Sequence, residues 1–209
     1  MIVLGLDTCL TSCSVAVLDG ERVLASASEV MARGHQERLA PMAQQVMAQA
    51  GLSFSRLERI AVTVGPGSFT GLRVGIAFAK GLASALDLPA VGVGSLEALA
   101  AEADGLVFAV VDARRDQVYL QGFEGGRALM APDAITAETA AARIAELSMG
   151  RPLTLVGSGA PLVEGLAPGA TVILAEGADA RHVARLAADR EPRPLKPLYL
   201  RAPDAKLPA

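Results

Sequence analysis

The sequence predicts an α/β protein of two lobes, each a mixed sheet that opens with a β-meander and is flanked by helices. Three observations carry this. Short apolar runs with strand character alternate with stretches of helical period. A β-branched run at 60–64 passes through Gly65-Pro66-Gly67 into a long apolar helix. The plan of strand, aspartate turn and second strand occurs twice, at Leu6-Asp7 and at Val111-Asp112.

The elements follow in order. Residues 2–6 form a buried strand ended by Asp7-Thr8, 15–18 a second strand, and Asp19-Gly20 a hairpin turn into a third strand at 22–26. Residues 34–50 form a helix, with Leu39, Met42, Ala43, Val46, Met47 and Ala50 on one apolar stripe and Gly51 at its end. Pro41 sits in its first turn or kinks it. The central helix runs to Leu86, capped by Ser68 or Thr70. A short strand at 90–93 and a helix at 96–102, capped by Ser95, complete the first lobe, 1–103. The second lobe, 104–209, holds strands at 106–111, 117–123 and 153–156, and helices at 137–148, capped by Thr136, and 178–189. Its proline-rich tail from Glu191 to Pro203 is extended and crosses back over the first lobe or is loose. Two lobes that each open on an Asp-ended strand point to the two-lobed actin-like ATPase (ASKHA) architecture.

Composition narrows the function. Of 209 residues 52% are hydrophobic and only 3% aromatic, with no Trp, so the core is built from Ala, Val, Leu and Ile. The net charge of -3 gives no broad basic face, and contact with nucleic acid is expected to be at most indirect. Cys9 and Cys13 read as reduced structural thiols of a cytoplasmic protein, with no membrane-spanning run. His35 and His182 have no partner at metal-ligand spacing.

The central helix has few polar side chains, Arg73, Lys80 and Ser84, on one narrow stripe. It is therefore expected to be covered on more than one side. Gly71, Gly75, Ala79 and Ala83 repeat every four residues, which favours close approach of another helix. The turn before it is neither a P-loop, lacking the Lys-Ser/Thr pair, nor GxGxxG. A carboxylate at a strand end beside a Thr/Ser turn is one way to hold a metal-bound phosphate. The positions a nucleotide would use are accordingly Asp7 and Thr8 in the first lobe and Gly157 and Gly159 in the second. The plain structural reading is that Asp7 caps its own turn.

Taken together, Leu4-Gly5-Leu6-Asp7-Thr8, Ser14-Val15-Ala16-Val17, Gly34-His35-Gln36-Glu37-Arg38-Leu39, the run from Gly65-Pro66-Gly67-Ser68-Phe69-Thr70-Gly71-Leu72-Arg73 to Gly75, and Pro197-Leu198-Tyr199-Leu200-Arg201 resemble the TsaB (YeaZ) family. That resemblance implies a job beside a paralogous transferase, TsaD, which makes N6-threonylcarbamoyladenosine on tRNAs reading codons that start with A. It also implies a TsaE ATPase reached through the complex, a homodimer when the chain is alone, and ATP and metal used by the partner subunits rather than bound by this chain. In the transferase a His-x-x-x-His pair binds metal. Here the matching positions are Ser95 and Leu99, which are not a ligand pair. The chain is expected to have no catalytic residues of its own.

The partner interface is expected on the two apolar helices: Leu39, Met42 and Val46 of the first, and Gly71, Val74, Gly75, Phe78, Ala79 and Leu82 of the second. The alternative is an independent actin-like small-molecule kinase or ATPase using Asp7 and the turns at Gly65 and Gly157. A third reading places nucleotide or tRNA phosphate on Arg114 and Arg115, or on Arg193, Lys196 and Arg201.

Overall fold

The computed structural model describes residues 1–192 and 194–201; Arg193 and the tail from Ala202 onward lie outside the described residues. Two five-strand paths of the same design form the frame. The first sheet has the order β3-β2-β1-β4-β5. Its meander is β1 (Ile2–Asp7), β2 (Ser12–Asp19) and β3 (Arg22–Val30), all antiparallel; β4 (Arg59–Thr63) and β5 (Ala90–Val93) extend it in parallel on the other side.

The second sheet repeats this arrangement. β6 (Leu106–Arg114) pairs antiparallel with β7 (Gln117–Glu124), which carries β8 (Arg127–Ala128) and β9 (Asp133–Thr136). β10 (Thr154–Val156) and β11 (Thr171–Ile173) add in parallel beyond β6. The echo of Asp7 in Asp112 is thus an echo of topology, since Asp7 ends the first strand of its sheet and Asp112 lies two residues before the end of the first strand of the other.

Helix α1 (His35–Gln49) lies on β2 and β3, and α2 (Phe69–Leu86) on β4. Both start where local chemistry dictates: Gly34 takes the left-handed region before α1, and the Ser68 hydroxyl accepts the Gly71 N–H of α2. Because α1 begins only at His35, Pro41 falls in its interior, exposed, rather than in its first turn. By length and composition alone α2, with mean hydropathy 1.2 over 18 residues, passes the test for a membrane span, as the core helix of a soluble protein also can.

Helix α3 (Ser95–Ala100) packs on β6 and β7, while α4 (Ala137–Ser148) and the short α5 (Ala160–Glu164) cover the other face of the second sheet. Side chains of β6 divide with period two: Leu106, Phe108 and Val110 join the core under α4, and Val107, Ala109 and Val111 join a core continuous with the first lobe. Helix α6 (Ala180–Ala188) belongs by sequence to the second half but packs on β1, β2 and β4 of the first sheet. Gly5 makes this possible, because a side chain there would collide with the Ala180 carbonyl. Arg59 fastens the far end of α6, donating from one nitrogen to Ala187, Ala188 and Arg190 carbonyls. The chain then runs along the first lobe, with the Leu198 N–H donating to Val64 at 2.7 Å.

Candidate functional site

Two places on this frame concern function: the seam between the lobes and the outer face of α2. At the seam, β1 ends in Asp7, which is fully buried. Its carboxylate accepts from the Thr63 hydroxyl at 2.6 Å, the Cys9 N–H at 3.1 Å and the Ala178 N–H at 3.2 Å. Burial outweighs these bonds and pushes its pKa up to about 6. Burial likewise raises the thiols of Cys9 and Cys13, the latter to about 12, so both are unreactive.

The lid over Asp7 is backbone. Gly177 lies against the Ser12 hydroxyl so closely that no side chain fits there, and the Ala180 N–H donates to the Ser14 hydroxyl at 3.0 Å. A hydrated cation has no path to the carboxylate. Thr8 is equally committed, since it is fully buried and its hydroxyl donates to the Gly71 carbonyl at 2.8 Å. Gly157 and Gly159 wrap the end of β6: a side chain on Gly157 would meet the Val110 carbonyl, and one on Gly159 would come within 2.8 Å of the Asp112 nitrogen. All four positions are therefore close-packing positions in this chain. The residues present do not fit a metal–triphosphate at Asp7. Among the described residues no group of three His, Cys, Asp or Glu is placed to hold a metal.

Ser95 and Leu99 are also structural. Ser95 is the first helical residue of α3 rather than its cap, and its hydroxyl donates to the Pro66 carbonyl at 2.5 Å. Leu99 is wholly inside the core.

A cavity of about 520 Å³ remains between the lobes. Its first-lobe wall is Cys9 to Thr11 and the turn entering α2; its second-lobe wall is the end of β6, the following hairpin turn and Ser158; residues 198–201 run along its side. The hairpin is unusual. Arg114, Arg115 and Asp116 all have positive φ, between 54° and 61°. Each such non-glycine residue costs on the order of 1 kcal/mol. Asp112 holds the turn by accepting the Arg114 N–H at 2.7 Å. Sequence reasoning proposed Arg114 and Arg115 for phosphate but missed Tyr119, Tyr199 and Ser158; the extended tail after Pro197 was the signal that could have placed Tyr199.

The outer face of α2 corrects the expected interface. Leu39, Met42 and Val46 of α1 are buried within the chain, beneath the helix, because their stripe covers β2 and β3. Gly71, Gly75 and Ala79 also point inward: Gly71 and Gly75 lie against Thr8, so the small residues bring α2 onto its own sheet, not onto another helix. The opposite side of α2 is only partly covered. Val74, Phe78 and Leu82 are half-buried, and Ala77, Gly81 and Ala85 between them are exposed. At the near end Arg73 lies 3.6 Å over the Phe69 ring, which contacts Tyr199 at 5.2 Å between centroids.

Known proteins share this arrangement. Residues 24–161 match a family model described as TsaD: tRNA N6-adenosine threonylcarbamoyltransferase. The structure of YeaZ from Pseudomonas aeruginosa superimposes with a TM-score of 0.84 at 32% identity, covering 95% of this chain and 99% of that one. An uncharacterized protein of Mycobacterium tuberculosis is 36% identical over 211 residues, 98% of this chain and 93% of that one. The tRNA threonylcarbamoyladenosine biosynthesis protein TsaB of Haemophilus influenzae is 40% identical over 125 residues, 57% of this chain. The chain spans about half the length of that relative, 52%, and of an uncharacterized Mycobacterium leprae protein, 56%. ROK hexokinase from Thermus thermophilus, at 16% identity and a TM-score of 0.53, shares the fold alone. With the glycine-rich turn, the doubled sheet and YeaZ-like geometry along nearly its whole length, the chain belongs to the TsaB (YeaZ) family.

Proposed function

We propose that this chain is a non-catalytic partner of a TsaD-type transferase in the biosynthesis of threonylcarbamoyladenosine on tRNAs reading codons that start with A. One observation carries the reading: α2 is fixed inward by Gly71 and Gly75, and its other side presents an apolar strip in which Ala77 and Gly81 are exposed and Val74, Phe78 and Leu82 only half-buried. An exposed apolar strip of this kind is an interaction surface. By binding the active conformation of the transferase preferentially, the chain shifts its population toward that state. ATP and metal belong to the partner subunits, and a TsaE-type ATPase joins through the complex. The same strip pairs two copies of the chain when the transferase is absent. The names of the TsaB relatives support the pathway, and the sealed Asp7 speaks against an independent kinase.

The experiment is size exclusion with light scattering on the chain alone and mixed with a TsaD protein. A homodimer that exchanges into a mixed complex is expected. A monomer that ignores the transferase and binds magnesium–ATP tightly would overturn the proposal.

A further inference from the structure

Residues 194–201 cross from one lobe to the other. Leu195 is buried in the first-lobe core, against Gly92. Three residues on, the Leu198 N–H donates at 2.7 Å to the carbonyl of Val64, the residue after β4. The Leu198 carbonyl takes the space that a side chain on Gly65 would need, so only glycine lets the segment pass there. The Tyr199 ring then sits against Phe69, and its hydroxyl accepts the Arg73 Nε–H at 3.2 Å. Last, the Arg201 guanidinium donates to the Ala113 carbonyl in the second lobe. Pro194 and Pro197 stiffen the segment, which lowers the entropy lost when it attaches.

Ala113 is an unusual acceptor. The register of β6 on β7 shifts between Asp112 and Arg114, which leaves Ala113 without a partner in the ladder. The residue is buried, where an unmatched carbonyl is costly, and the guanidinium supplies the donor. At their base the lobes are packed together, with Val107, Ala109 and Val111 of β6 in a core continuous with the first lobe. At the cleft they face each other across about 520 Å³ of open space. The motion left to them is an opening of the cleft about that packed base. Only three residues of backbone, about 10 Å at full stretch, join the attachment at Val64 to the one at Ala113, and this reach limits the opening. We propose that residues 195–201 form a latch on the lobes: clasped through Arg201 it holds the cleft narrow, and Tyr199 seated on Phe69 ties the clasp to the end of α2. Whatever lifts Tyr199 from Phe69 opens the molecule. The latch is intramolecular and independent of the partner reading.

The test uses the full chain alone, with nitroxide labels at Thr70→Cys and Leu162→Cys. Both positions are exposed, and they lie beside opposite walls of the cleft, next to Phe69 and just past Ser158. Cys9 and Cys13 are buried thiols with raised pKa values and stay unlabelled. Pulsed dipolar spectroscopy then gives the distribution of distances across the cleft. Arg201→Ala and Tyr199→Ala are each expected to lengthen the mean distance by about 3 Å or more, the reach of one residue, and to broaden the distribution. Lys196→Ala, at an exposed position of the same segment, leaves it unchanged. A distribution in Arg201→Ala that superimposes on the parent's overturns the latch. Opening in Arg201→Ala without opening in Tyr199→Ala overturns the tie to α2, and equal opening in Lys196→Ala overturns both.

Discussion

Thr8 and Gly71 lock the first lobe together: the Thr8 hydroxyl donates to the Gly71 carbonyl at 2.8 Å, and the Gly71 α-carbon lies directly against the Thr8 carbonyl. Any side chain at 71 collides with backbone, which has nowhere to retreat. Gly71→Ala is therefore expected to cost about 3 kcal/mol, the upper end of overpacking effects. Gly81, on the same helix, faces open space, with nothing within 4 Å of the place a methyl group would take, so Gly81→Ala gains about 0.5–1 kcal/mol from helix propensity. Urea unfolding of both variants gives opposite signs if α2 is oriented as described; equal effects would contradict it.

The same orientation selects the substitutions that separate binding from folding. Ala79 is fully buried, so Ala79→Arg puts a charge into the core and unfolds the lobe. Ala77 is exposed in the middle of the apolar strip. Ala77→Arg leaves the unfolding curve within about 0.5 kcal/mol of the parent, as for ordinary surface sites. It weakens pairing with itself and with the transferase by about 100-fold, since the guanidinium must be buried unpaired at the centre of the contact. Sedimentation equilibrium decides this, and a variant that still pairs at parental affinity rules the strip out.

Much of this geometry was legible in the sequence. The strand–glycine–helix signal at 60–86, the caps Ser68 and Thr136, and the doubled Asp-ended strand all rest on local rules: period, capping and turn chemistry. What stayed hidden depends on which side of a helix meets the sheet. The spacing of Gly71, Gly75 and Ala79 specifies close approach but not the partner, and for both glycines the partner is Thr8 of the same chain. The return of α6 to the first sheet was also invisible, because the fit of Gly5 under Ala180 joins residues 175 positions apart in sequence, 5 and 180. The fate of Asp7 followed from that return: its own strand reads as a ligand site, and a distant loop seals it.

Ser95 and Leu99 test whether the metal route can be restored. Ser95→His with Leu99→His recreates the pair that the resemblance assigns to the transferase. Leu99 is enclosed by core and Ser95 is tied to the Pro66 carbonyl, so both imidazoles are buried without partners. The double variant should lose about 3 kcal/mol or more of stability. Zinc does not recover it, because two imidazoles enclosed by the core are half of the four ligands a closed site needs. Thermal melts with and without zinc check this; a rise in melting temperature with zinc would show that the site is still latent.

Asp7 leaves a signature in the pH dependence of stability. Its pKa is about 6 in the fold against 3.8 for an ordinary aspartate, with burial as the main cause. The folded chain therefore binds more protons than the unfolded chain between these values, and stability from this group falls as pH rises through that window. The full difference is on the order of 3 kcal/mol above the folded value. The charge of His35 also acts on Asp7, lowering its pKa, so the parent alone does not isolate the effect. Asp7→Asn removes the ionisation and keeps an oxygen for the Thr63 and Cys9 donors. Parent and variant unfolded in urea from about pH 4.5 to about pH 7 should diverge by about 2 kcal/mol, the parent losing ground as pH rises. Parallel curves would mean that the carboxylate is solvated in the folded chain and that residues 177 and 178 do not seal it.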